Sequence, residues 1–168
     1  KTIDDMIYAT TCPSVDDCDN PDYLDKSNLA LLYFDSEEIN FPGRAAMAMD
    51  DDPSTIWHTR WSSGTDPYPH ELQWDLGRVY DLKEFKYLPR QVGVNGRVNE
   101  YEIYVSDNLA EWGSPIIEGS FINSSAPQSV NFPPNTLGRY ARFVCLSEVG
   151  DGPWASVAEI DLLGCVPQ

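Results

Sequence analysis

From Glu71 to Leu76 apolar and polar side chains alternate without a break. Leu72, Trp74 and Leu76 fall on one face, and Glu71, Gln73 and Asp75 on the other. A period of two is the signature of a half-buried strand. The same pattern over residues 98–106 puts Tyr101, Ile103 and Val105 on one side. Phe85–Leu88, closed by Pro89, is a shorter strand, and Ser129–Phe132, Tyr140–Leu146 and Val157–Leu163 predict three more. Leu29–Phe34 is apolar throughout, which predicts a buried strand. Helical periodicity is nearly absent, and 13 Pro and 11 Gly punctuate the short apolar runs. Roughly eight strands in that arrangement predict an all-β fold, a two-sheet β-sandwich of jelly-roll type. Residues 1–28 are irregular, acidic and cysteine-bearing. They read as an N-terminal extension packed on a module of residues 29–168. Lys1, with no basic or apolar leader behind it, reads as the start of a processed chain or of a domain cut from a larger one.

Composition narrows the partners. A chain of 168 residues with 42% hydrophobic content can build a substantial core unaided, and no segment approaches the length of a membrane span. The 27 acidic against 11 basic residues leave a formal charge of −16. Nucleic acids and anionic membranes attract basic surfaces, so neither is an expected partner; neutral or cationic ligands fit better. Cysteines stand at 12, 18, 145 and 165. An even count fits two disulfides and an oxidising, secreted setting, whereas the Cys12/Cys18 spacing is poor for zinc. Of three connectivities, Cys12–Cys18 with Cys145–Cys165 is the favoured one, and a tie between the terminal cysteines, Cys12–Cys165, is its rival.

Three stretches carry candidate chemistry. The turn Asp50-Asp51-Asp52-Pro53-Ser54-Thr55 presents side-chain oxygens at 50, 52 and 55 on a short arc, a hard-ligand set suited to calcium, although not in EF-hand spacing. Taken alone it reads first as a solvated acidic turn. Glu159 changes the balance, because it lies in the apolar strand Val157-Ala158-Glu159-Ile160, where an unpaired carboxylate is costly. Next, Trp57-His58-Thr59-Arg60-Trp61 leads into the polar loop Ser62–Asp66, so Trp57 reads as core and Trp61 as near-surface. Aromatic rings beside polar donors are how proteins hold sugars: the ring covers the C–H face while His, Arg and Asn address the hydroxyls. Arg90 heads a loop with the Asn95-Gly96 turn signal, and Gly152-Pro153-Trp154 predicts an exposed turn tryptophan. With two histidines and no Gly-x-Ser-x-Gly, the sequence makes no case for an enzyme.

The runs AMDDDPSTIWHTRW, PYPHELQWDLG, FKYLPRQVGVNGR, YEIYVSDN and PWASVAEI, in that order over about residues 29–164, resemble the discoidin, or coagulation factor 5/8 type C, superfamily. More narrowly they resemble carbohydrate-binding module family 32, whose members accompany sialidases, hexosaminidases and fucosidases. The resemblance implies a β-sandwich with a structural calcium and a shallow sugar site at its loop end. By position, calcium would take the carbonyls of Met47 and Ala158 and the side chains of Asp50, Asp52, Thr55 and Glu159. The family's usual turn glycine is replaced by Asp51, which must then adopt a conformation that Asp tolerates. The implied sugar site is His58, Arg90 and Asn95, walled by Trp61 and Trp154, with Glu38 as a further acceptor. The implied function is a non-catalytic module that recognises galactose or N-acetylgalactosamine and directs an attached enzyme within a larger secreted protein. The same fold could instead bind an algal or pectic polymer, or act as a discoidin-type adhesion domain for a protein or cell surface.

Overall fold

The computed structural model describes Cys18 and residues 20–167. Nine strands occur among them: β1 (Asp22–Tyr23), β2 (Ala30–Phe34), β3 (Trp57–His58), β4 (His70–Leu88), β5 (Glu100–Ser106), β6 (Ile117–Ser120), β7 (Gln128–Cys145), β8 (Ser156–Val157) and β9 (Glu159–Cys165). Short 3-10 turns cover Lys26–Asn28 and Ala45–Met49.

Two long strands make the sandwich. The first half of β4 pairs with β2 and with the end of β7, and β5 and β6 continue that layer. Its second half pairs with β9 and with the start of β7, and β1 closes that edge against β9. Register shifts between Asp75 and Tyr80 mark where β4 passes from one layer to the other, the means by which strands switch sheets at a corner. Gly77 sits at this corner with φ 82°, and a Cβ there would come within 3.0 Å of the Asn28 carbonyl. Sequence reading divides β4 and β7 into separate strands because glycine and Pro133-Pro134 interrupt the apolar pattern, yet both chains run through.

The predicted alternation holds. Leu72, Trp74 and Leu76 of β4 and Tyr101, Ile103 and Val105 of β5 face inward. They meet Phe85, Tyr87, Phe143, Ile160 and Leu162 in one core, with Trp57 fully buried among them. Each such side chain contributes about 1.5–3 kcal/mol relative to exposure. β2 differs from expectation. It is an edge strand whose Leu32, Tyr33 and Phe34 are exposed, because among the described residues it pairs with β4 alone and no layer lies over its outer face. Residues 22–28 of the expected extension are built into the fold: β1 extends the sheet and Leu24 joins the core.

The favoured disulfide pairing is wrong. Cys18 bonds Cys165 with Cα atoms 5.7 Å apart, and Cys145 is a free, fully buried thiol. Cys12 lies outside the described residues, but either pairing proposed for it would need a cysteine already used. Register explains the failure of Cys145–Cys165. Cys145 pairs with His70 and Cys165 with Asp81 of the same strand, eleven residues apart (81 less 70). At ~3.3 Å per residue that is over 30 Å of strand, far beyond the roughly 4.4–6.8 Å a disulfide spans.

Candidate functional site

The ribbon of β3 and β8 closes one end of the sandwich, with Trp57 opposite Val157 and His58 opposite Ser156. His58 is pinned through its main chain, accepting from Glu38 N (2.8 Å) and donating to the Gly43 carbonyl (3.1 Å). Its Nδ1 lies 2.6 Å from the Thr59 carbonyl. A carbonyl only accepts, so Nδ1 carries the proton and Nε2 is left as an acceptor. Burial lowers the His58 pKa; the Thr59 carbonyl opposes this, and the Arg90 charge then adds to the lowering against a lesser pull from Glu38. The imidazole is neutral near pH 7.

Arg90 follows β4 and folds over its own loop. Nε donates to the Val92 carbonyl (2.7 Å) and Nη1 to the Asn95 carbonyl (2.9 Å). Of its five N–H groups, three remain. The turn that places Asn95 depends on Gly96, at φ 81°, where a Cβ would come within 2.9 Å of the Ala155 and Ser156 backbone. The Asn95 carbonyl also accepts from Ser156 Oγ (3.1 Å), and its exposed side-chain amide has no hydrogen bond among the described residues.

Trp61 is 44% exposed and stacks on Phe41, with ring centroids 4.7 Å apart. On the other side Trp154 is half-buried, its ring centroid 6.5 Å from that of His58. Its backbone is held from below: Tyr68 donates its hydroxyl to the Trp154 carbonyl, and His70 Nε2 donates to the Pro153 carbonyl (2.8 Å). His70 Nδ1 meets Asp35 at 2.6 Å, so both ring nitrogens face acceptors. Burial works against the charged ring, but Asp35 and the Pro153 carbonyl outweigh it and raise the pKa.

His58, Trp61, Arg90, Asn95 and Trp154 thus line one cavity of about 380 Å³, together with Phe41, Pro42 and Ile56. Its lining mixes aromatic and apolar side chains with a few polar ones, the buried His58 among them and the exposed Trp61 and Phe41 at the surface, the make-up of a small-ligand site. Sequence reasoning missed Phe41, Pro42 and Ile56, because chain spacing does not show that the 38–44 loop folds back onto Trp61. Glu38 departs from its expected role. Its Oε1 accepts from Asn40 N and Ser62 Oγ, and its Oε2 from Trp61 N and Ser62 N, all within 3.0 Å. Burial opposes the charge, yet these four donors bring its pKa down to about 2. With its lone pairs occupied and no face on the cavity, Glu38 shapes the Trp61 loop and is not a ligand acceptor.

The acidic turn packs against the start of β9. Thr55 Oγ1 donates to the Asp50 carboxylate (2.9 and 3.1 Å) and lies 3.1 Å from the Asp52 carbonyl. Asp51 takes φ 62°, the left-handed conformation that Asp tolerates. The Asp52 carboxylate is turned to Ser54 N and Oγ. Glu159 has one oxygen, Oε1, buried without a partner among the described residues. Its other oxygen receives Lys26 Nζ at 2.5 Å, and the same ammonium lies 2.9 Å from Asp161 and 3.0 Å from Asp51. Burial raises the Glu159 pKa, Lys26 opposes this, and Asp50 adds to it. Burial alone would lower the Lys26 pKa, but its three carboxylates raise it. No cluster of three or more His, Cys, Asp or Glu side chains is close enough for a metal among the described residues. A cation here would therefore need backbone and hydroxyl oxygens as well. The orphaned Glu159 oxygen, the adjacent Asp50 and the hard donors of the turn fit calcium.

A β-sandwich with an aromatic-walled polar cavity on its end loops defines a ligand-binding module. The chain belongs to the F5/8 type C domain family, whose model matches residues 34–160. It is 41% identical over 143 residues to a sialidase of Micromonospora viridifaciens, covering 84% of this chain and 22% of the relative. It is 35% identical over 117 residues to galactose oxidase of Gibberella zeae, covering 68% and 17%. The chain spans about a fifth of the length of these curated relatives. Among solved structures, it is similar to CpGH89CBM32-5 of Clostridium perfringens in complex with GalNAc-β-1,3-galactose. That match has TM-score 0.76 and 29% identity, covering 84% of this chain and 99% of that one. It is also similar to the family 32 CBM of Clostridium perfringens NanJ in complex with galactose, with TM-score 0.76, 26% identity and coverage of 86% and 99%.

Proposed function

We propose that this chain is a non-catalytic carbohydrate-binding module that holds a terminal galactose-type sugar and brings an attached, secreted enzyme to its glycan. The observation that carries the reading is the convergence of His58, Arg90 and Asn95 with Trp61 and Trp154 around one open cavity. A galactose ring has an apolar C–H face for an indole to cover and hydroxyls that both donate and accept. The His58 Nε2 lone pair, the remaining Arg90 N–H groups and the Asn95 amide supply acceptor, charged donor and dual-purpose partner. The galactose-bearing complexes of similar modules support the choice of sugar, and the Cys18–Cys165 bond supports an oxidising compartment.

Calcium is proposed as a structural cofactor. The carbonyls of Met47 and Ala158 and the side chains of Asp50, Thr55 and Glu159 would hold it, with Asp52 exchanging its Ser54 hydrogen bonds for the ion. It would clip the loop before Trp57 to β9. At 100 times its dissociation constant it adds about 2.7 kcal/mol to stability, so chelation lowers the melting temperature; an unmoved melting temperature refutes the site.

A monosaccharide has about twelve heavy atoms, and roughly −0.3 kcal/mol per atom gives a dissociation constant on the order of 1 mM. Titration calorimetry with galactose and N-acetylgalactosamine tests this. Trp61→Ala and Asn95→Ala should each weaken binding in a folded protein. Asn95→Ala is the cleaner variant, because Arg90→Ala also frees the Val92 and Asn95 carbonyls and deforms the loop. A folded parent domain that binds neither sugar overturns the reading.

A further inference from the structure

Beyond Arg90 a second cavity, of about 550 Å³, opens toward Pro53 and Val92. It shares Pro42, Ile56 and Arg90 with the first, so the two cavities adjoin at these residues and the second is a groove beside the first. We propose that this groove is a second subsite, holding the next ring of a galactose-terminated oligosaccharide. The inference rests on the galactose reading of the first cavity.

Three features favour a sugar as the occupant. The first is adjacency: Arg90 lines both cavities, so a sugar seated at Arg90 in the first brings the next ring of its chain within reach of the second. Nε and Nη1 of Arg90 are fixed on carbonyls, so its remaining donors stay at the junction without movement. The second is the lining, in which Pro42, Pro53, Ile56 and Val92 offer flat apolar surface for C–H faces and Gln91 stands at the edge. Gln91 itself is braced, its Nε2 donating to the Pro89 and Ser125 carbonyls. The third is exposure. Val92, at 83%, is the most exposed large apolar residue among those described. A net charge of −16 argues against an anionic membrane as what covers it.

Covering ~50 Å² of ligand C–H surface is worth about tenfold in affinity. The test is calorimetry on the full chain with galactose, lactose, galactobiose and GalNAc-β-1,3-galactose, on the parent and on Val92→Asp. The expected result is that at least one disaccharide binds the parent about tenfold tighter than galactose. In Val92→Asp that ratio, taken against the variant's own galactose value, falls to about one. Galactose binding with every disaccharide within twofold of it overturns the subsite and leaves the sugar reading standing. An unchanged ratio in Val92→Asp also overturns it. If the parent binds none of these sugars, both readings fail. If Val92→Asp abolishes binding to phosphatidylcholine–phosphatidylserine vesicles while the parent's disaccharide ratio is near one, the loop tip is a membrane contact and the subsite is wrong.

Discussion

Replacing Lys26 with Met should cost this protein about 3 kcal/mol. The Lys26 stem lies in a cleft with Leu29, Leu31, Ala45, Met49 and Trp74, and Met fills much the same space, so packing is nearly kept. What disappears is an ammonium, 8% exposed, that touches three carboxylates. They do not suffer equally. Asp51 is 74% exposed and is rehydrated by solvent. Asp161 keeps Lys86 at 2.9 Å. Glu159, 7% exposed and already carrying one orphaned oxygen, is left with no cation among the described residues. Removing one partner of a buried pair typically costs 3–5 kcal/mol, and the lower end applies because one carboxylate of the three bears the loss. For a domain of this size the melting temperature should fall by roughly 6–12 °C. Urea unfolding followed by tryptophan fluorescence measures it, with an unchanged slope showing that the denatured state is unaltered. With the proposed calcium site filled, the deficit should shrink, because the ion would compensate the same carboxylate. A loss under about 0.5 kcal/mol, with and without chelator, would show that the ammonium does not sit in the cluster.

The remaining predictions concern pH and thiols. Burial keeps the His58 pKa below its ordinary 6.5, so the acceptor at Nε2 persists on acidification past that value. Galactose affinity measured by calorimetry should be flat from pH 8 to 6.5 and decline only below, where protonation turns the acceptor into a donor beside Arg90; a decline centred above 6.5 refutes the downward shift of His58. Cys145 should resist a thiol reagent in the native protein and react once urea is added, and rapid native labelling would contradict its burial. The double variant Cys18→Ser/Cys165→Ser should lose about 2–4 kcal/mol, the usual yield of a disulfide, and an unchanged unfolding midpoint would show that the bond is idle.

Much of the fold was legible because strand alternation is a local property. Leu72, Trp74 and Leu76 announce their face wherever the strand is placed. Burial of a continuous apolar run is not local: Leu29–Phe34 reads the same whether one neighbour covers it or two. Cysteine pairing failed for the same reason, since the distance between Cys145 and Cys165 is set by where each registers on β4. At the cavity, residue types that can hold a sugar were visible as His58, Trp61, Arg90, Asn95 and Trp154. What was hidden is how neighbouring backbone uses a side chain. Glu38 looks like a ligand acceptor until its four donors are counted, and Arg90 looks like a free fork until two carbonyls are found on it. Lys26 lay within a segment with no pattern to read.

The Cys18–Cys165 bond also fixes how the module bears tension. β9 begins at Glu159, opposite Leu88 and close to the sugar cavity, and ends at Cys165 about 20 Å away, at ~3.3 Å per residue. Asp22 registers with Gly164, so the incoming and outgoing chain meet at that same far end. A pull between residue 18 and residue 165 therefore passes through one covalent link and bypasses the 147 positions of chain that separate them. The end loops around the cavity stay unloaded. Reduction would divert the strain into the two register pairs of β1 and β9, which would peel apart one after the other.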